Sequence, residues 1–197
     1  MRDLTAQLLG PRCLDVALSY CDIGCSYYDM GQHDKALEFH SKAFVIQREN
    51  LGPRNKYIAA MCNCIGVVLA DREDFNQAFA YYSTALDIYL DDFLNFSGHN
   101  EMAGSLENIG SLLKIESELS DRSCLERSLQ YFAQSLEIQF ETKGPIPIQA
   151  GTALYHVASV YQKMYKFDQA LECVMREIHA CSLLLVLTSD QVLYAIL

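Results

Sequence analysis

The tetrapeptide Leu9-Gly10-Pro11-Arg12 returns forty-two residues later as Leu51-Gly52-Pro53-Arg54, and the small residues Ala17, Gly24, Ala36 and Ala43 return at the same offset as Ala59, Gly66, Ala78 and Ala85. A chain that copies itself at a fixed period is built from stacked supersecondary units, each too small to bury its own apolar face. In the unit from Leu51 to Tyr89, Ile58, Met61, Cys62, Ile65 and Leu69 recur at spacings of three and four. These place one apolar stripe along a helix. After the polar run Asp71-Arg72-Glu73-Asp74, a second stripe follows at Phe75, Ala78, Phe79, Tyr82, Ala85, Leu86 and Tyr89. The unit is therefore a helix, a tight turn and a second helix. Asp74 followed by Gln77 has the spacing of a capping box and predicts the second helix's start.

Downstream, Ala103, Asn108, Ile109 and Gly110 echo the first helix, while Ser128, Tyr131, Phe132, Ser135, Leu136 and Ile138 echo the second. The offset lengthens in between, which puts the extra residues in the turn at Glu118 to Ser123, where insertion disturbs little packing. A fourth copy carries Leu154, Val157, Ala158 and Tyr161, then Phe167, Ala170, Leu171 and Val174. The repeats predicted are about 10–50, 51–93, 99–141 and 148–188, with a partial copy at 189–197, all in a single domain.

A large residue, a small one four later, an aromatic three further, and small residues in the second helix appear here as Tyr20, Gly24, Tyr27, Ala36 and Ala43, with Gly31 in the turn. This pattern resembles the tetratricopeptide repeat family, and the long unit with its Leu-Gly lead-in is similar to the 42-residue repeats of kinesin light chains. The resemblance implies an all-α superhelical solenoid of antiparallel helix pairs. Its implied role is a scaffold or adaptor holding a peptide or short helix in a concave groove lined by first helices. An alternative is a regulatory segment of a larger enzyme or signalling protein. Departures from the pattern are Ser128 and Ser135 in place of Ala, and Glu177 and Ala158 in the fourth copy.

Aligning the copies nominates Leu18, Asp22, Tyr28, Asp29, Asn63, Val67, Asp71, Asn108, Ser111, Lys114, Tyr155, Ser159 and Lys163 as groove residues. Family members that clamp a C-terminal carboxylate use Lys or Arg and Asn at the first groove positions, which here hold Cys21 and Cys25. A carboxylate clamp is not expected. Asn63 and Asn108 have amides able to donate to and accept from a ligand backbone. Asp22, Asp29 and Asp71 favour a basic ligand residue, and Tyr28 and Tyr155 offer apolar area with a polar tip.

The same alignment brings Cys21 and Cys25 beside Cys64, three thiols where a closed zinc site needs four. No metal or other cofactor is expected. The sequence has no Gly-rich phosphate loop or nucleophile elbow, and the histidines at 33, 40, 99, 156 and 179 are dispersed, so catalysis is not expected either.

A net charge of −10 with scattered basic residues argues against nucleic acid or anionic membrane as partners. Eight cysteines without a secreted-scaffold spacing and the lack of a signal peptide point to reducing cytoplasm. Leu183 to Leu187 is too short to cross a membrane. Leu4, Leu8 and Leu9 at one end and Val192, Leu193, Ala195 and Ile196 at the other read as pieces of further copies. Those ends predict self-association.

Overall fold

A computed structural model of the chain describes residues 13–91, 99–117, 123–143 and 148–175. The readings placed on the two chain ends and on the lengthened turn lie outside the described residues. Every regular element among those described is a helix: α1 (Leu14–Asp29), α2 (His33–Leu51), α3 (Lys56–Asp71), α4 (Phe75–Asp91), α5 (His99–Glu116), α6 (Ser123–Lys143), α7 (Ile148–Lys163) and α8 over 167–175. The chain forms two compact units, one ending at Asn108 and the other beginning at Ile109 within α5. Among the described residues, no helix is long and apolar enough to cross a membrane.

The helix pairs owe their shape to one turn. At the end of α1 the amide of Gly31 donates to the Tyr28 carbonyl at 2.8 Å and that of Gln32 to the Tyr27 carbonyl at 2.8 Å, with Gly31 at φ +69. This is the left-handed helix stop that satisfies two terminal carbonyls at once. The same pair of bonds closes α3, from Glu73 to Ala70 and Asp74 to Leu69, both at 2.9 Å, and α7, from Tyr165 to Gln162 and Lys166 to Tyr161. Only the first turn has the expected glycine. Glu73 and Tyr165 hold the left-handed conformation at φ 65 and 60 despite their side chains.

Between the first two hairpins, Gly52 adopts φ 82 and ψ 166, a region reserved for glycine, and Asn55 then caps α3 by accepting the Tyr57 amide at 3.0 Å. Asp74 stands where the capping box predicts, and its carbonyl accepts the Ala78 amide at 3.0 Å. Its carboxylate faces sideways, 3.4 Å from Arg72 Nε.

In the first unit, α1 packs on α2, α3 on α4, and α2 also on α3. The repeated small residues lie at the closest approaches: Ala17, Ala36, Ala43, Ala59, Ala78 and Ala85 are all fully buried. Three first-helix glycines, Gly24, Gly66 and Gly110, receive a ring from the partner helix. A Cβ on Gly24 would lie 2.6 Å from the His40 ring, one on Gly66 2.5 Å from Tyr82, and, in the second unit, one on Gly110 2.9 Å from Phe132.

The second unit centres on Leu125, Phe132, Val157, Ala158, Val160 and Cys173. There the two serines that depart from the family pattern are fully buried. Ser128 Oγ donates to the Gly110 carbonyl at 2.6 Å, and Ser135 Oγ accepts from Gln139 Nε2 at 3.1 Å. Each hydroxyl is tolerated in the core because it has a hydrogen-bond partner.

Candidate peptide-binding face

In the first unit, the nominated residues of α1 divide between a solvent face and a seam with α3. Leu18, Asp22 and Asp29 are exposed, with Leu18 at 54 %. Tyr28 lies at the seam, where its hydroxyl donates to Asp71 Oδ2 at 2.6 Å. That bond and the neighbouring carboxylates hold the phenol's pKa up at about 12, since the ionised form would face Asp71 without a proton between them. The pair thus ties the last turn of α1 to the last turn of α3. Close by, Arg72 reaches Asp34 at 2.9 Å and joins the two hairpin turns. Being exposed, this ion pair contributes little energy.

A second tie runs from α3 to α5. Asn63 Nδ2 donates to Ser105 Oγ at 2.9 Å; the same hydroxyl is 3.2 Å from Asn63 Oδ1 and 3.1 Å from the Glu101 carbonyl. Ser105 is fully buried. Asn63 therefore spends part of its amide on the scaffold, and Asn108 and Val67 are half-buried on the same two helices. Sequence alignment nominated Asn63 as a groove residue but did not reveal its partner Ser105. A serine forty-two residues after an asparagine, each on a first helix, was the available signal.

Cys64 and Cys25 lie close enough to Cys21 to act on it electrostatically. Burial is the main influence and drives the Cys21 thiol up to about 12, with Cys64 and Cys25 also raised. These groups stay protonated near neutral pH, which makes them poor nucleophiles. Gln47 Nε2 lies 3.7 Å from Cys21 Sγ. Among the described residues, no group of three or more His, Cys, Asp or Glu has metal-binding geometry, and all the described cysteines are free.

In the second unit, Lys114 Nζ of α5 lies 3.4 Å from Ser159 Oγ of α7, with Ser111 and Lys163 half-buried on the same helices. Tyr155 is 59 % exposed and meets His156 edge-on, at 5.8 Å between centroids. His156 stacks on Phe132 at 5.1 Å; burial, with Lys114 as a second influence, lowers its pKa. Sequence reasoning reads the dispersed histidines as structural or solvated. Both of these are structural: His40 is buried with its ring against Gly24, and His156 is half-buried against Phe132.

The tetratricopeptide repeat family model matches residues 15–91. No curated protein matches the sequence. Among solved structures, BtubC (BKLC) from P. vanneervenii is similar with a TM-score of 0.75 and 22 % identity, over 92 % of this chain and 69 % of that one. A putative kinesin light chain from Podosopora anserina, described by its nearly identical TPR-like repeats, gives a TM-score of 0.65 at 14 % identity, over 90 % of this chain and 80 % of that one. A Rap protein complexed with Competence and Sporulation Factor gives 0.69 at 20 % identity, over 86 % of this chain but 43 % of that one. Residues 15–91 thus match the tetratricopeptide repeat, and the helix-pair fold of the chain is similar to that of TPR-like repeat structures, kinesin-light-chain-like repeats among them.

Proposed function

We propose that the chain is a protein-interaction scaffold that holds a peptide or short helix on the face formed by its first helices. The observation that carries this reading is the pair of cross-helix ties, Tyr28 to Asp71 and Asn63 to Ser105. They fix the spacing of α1, α3 and the start of α5 while leaving Leu18, Asp22 and Asp29 exposed and Val67 and Asn108 partly accessible. A surface held rigid before binding loses less entropy when a ligand arrives. The face on α5 and α7, with Ser111, Lys114, Tyr155 and Ser159, offers a second set of contacts of different charge.

A random-peptide selection on the full chain tests the reading. Binders should compete with one another and lose affinity in Val67→Arg, which fills the face, and in Asn108→Ala. Binders indifferent to both substitutions would place the interaction elsewhere. A cargo-adaptor role like that of kinesin light chains is one specific form of this proposal. A regulatory segment of a larger signalling protein is the other, favoured by the likeness to a Rap protein of which the similar region is less than half.

A further inference from the structure

Helix α1 carries Asp15, Asp22 and Asp29 and no Lys, Arg or His. Seven residues on a helix is close to two turns, so the three carboxylates form one row, in steps of about 10.5 Å. All three side chains are exposed, and among the described residues none has an ion-pair partner. A second row, rotated slightly around the same face, consists of exposed Leu14, Leu18 and Cys25. The buried side of α1, at Val16, Ala17 and Gly24, faces away from both rows.

Asp15 suits the first turn of α1, but the C-terminal end of the acidic row works against its own helix. Asp29 ends α1 at the negative pole of the helix dipole, where a cation would be favourable, and the last turn holds no basic residue. Asp22 and Asp29 also push the neighbouring Cys25 thiol upward. The charge is uncompensated within the hairpin, and a partner that brings positive charge relieves it.

We infer that the exposed face of α1 docks a basic amphipathic helix from a protein partner, with Lys or Arg at every seventh position and an apolar residue beside each. The inference rests on the interaction reading above and specifies its partner. A row that repeats every seven residues along one helix stays in register with such a row on another helix crossing at a small angle. An apolar ridge on the partner then covers Leu14 and Leu18 while its cations meet Asp15, Asp22 and Asp29. Charge complementarity of this kind sets orientation and excludes acidic partners.

The test uses the full chain and calorimetric titration with three synthetic helical peptides: one with Lys at every seventh position and Leu beside each, one of the same composition scrambled, and one with Glu replacing Lys. The phased Lys peptide should bind best, and its affinity should fall as salt rises. In the triple variant Asp15→Asn, Asp22→Asn, Asp29→Asn, affinity should drop by about tenfold or more and lose its salt dependence. These changes preserve side-chain shape and relieve the adverse charge, so helix content should hold. Leu18→Ala should weaken binding without altering the salt dependence. Equal affinity for all three peptides, or full affinity in the triple variant, would overturn the inference. If selection from random peptides instead enriches non-basic binders that Val67→Arg abolishes and the triple variant spares, the basic-helix partner is refuted while the interaction reading stands.

Discussion

Replacing Gly66 with Ala separates helix propensity from packing, because the two effects have opposite signs at this position. Ala in a helix interior is favoured over Gly by about 1 kcal/mol. The added Cβ, however, would sit 2.5 Å from Tyr82 Cε1, 2.7 Å from Cδ1 and 3.0 Å from Cζ. The ring cannot swing away, since Tyr82 is 3 % exposed and packed between helices. Overpacking a core costs about 1–3 kcal/mol, and three contacts inside van der Waals distance place this site in the upper part of that range. The net expectation for Gly66→Ala is a loss of about 1–2 kcal/mol. Gly104 supplies the internal control, since a Cβ there meets nothing within 4 Å. Gly104→Ala should therefore stabilise by about 0.5–1 kcal/mol. Urea unfolding followed by far-ultraviolet dichroism reads both, and Gly66→Ala combined with Tyr82→Leu should cost less than the sum of the single changes. If Gly66→Ala stabilised the chain as much as Gly104→Ala, the close approach of α3 and α4 at Tyr82 would be wrong.

The turns, buried histidines and seam make further predictions. Glu73→Gly should raise the urea midpoint, by about 1 kcal/mol of stability, because Glu73 holds φ 65 where glycine is unstrained, while Gly31→Ala should lower it by a similar amount. His40 is 2 % exposed with an unpaired, buried Nδ1, and burial lowers its pKa from the ordinary 6.5. Below pH 6.5 the unfolded chain takes up a proton that folded His40 resists, so stability present at neutral pH should fall on acidification until the folded-state pKa is reached. His40→Phe should flatten the acid side of a stability profile measured by urea titration. Tyr28→Phe removes the bond to Asp71 and should abolish the phenol that ionises near pH 12 in an ultraviolet titration; at this half-buried seam the stability cost should stay within about 1 kcal/mol. Ser128→Ala should cost about 1 kcal/mol, because it deletes a buried hydroxyl's bond to the Gly110 carbonyl.

The helix pairs are legible in the sequence, because a hairpin is specified locally: apolar residues at three-and-four spacing, small residues where helices touch, and a polar turn between them. The second helix predicted to start at the Asp74 capping box begins at Phe75 in the structure for that reason. The turn chemistry was legible only in part. Gly31 announced a left-handed residue, whereas Glu73 and Tyr165 adopt the same conformation with side chains that local preference would reject. Packing of α3 on α4 and of α7 on the second unit's core imposes the turn, and tertiary energy outweighs a local strain of about 1–2 kcal/mol.

The proposed interaction face shows the same division. Aligning the copies nominated Asp22, Asp29 and Leu18 as groove residues, and the structure leaves them exposed. It also nominated Tyr28, Asp71 and Asn63 as ligand contacts, with nothing to say that each would be engaged by another helix. Those bonds join residues forty-two or forty-three positions apart, so they depend on the rotation and rise between neighbouring hairpins, to which a helical period is blind. His40 makes the point most sharply. In sequence it is one of five scattered histidines, and only the approach of α2 to Gly24 turns it into the ring that fills the first hairpin. The sequence by itself determined which residues lie along each helix face, since that follows from 3.6 residues per turn. Which of those faces meet, and which polar groups are consumed in the meeting, was decided by the packing of one hairpin against the next.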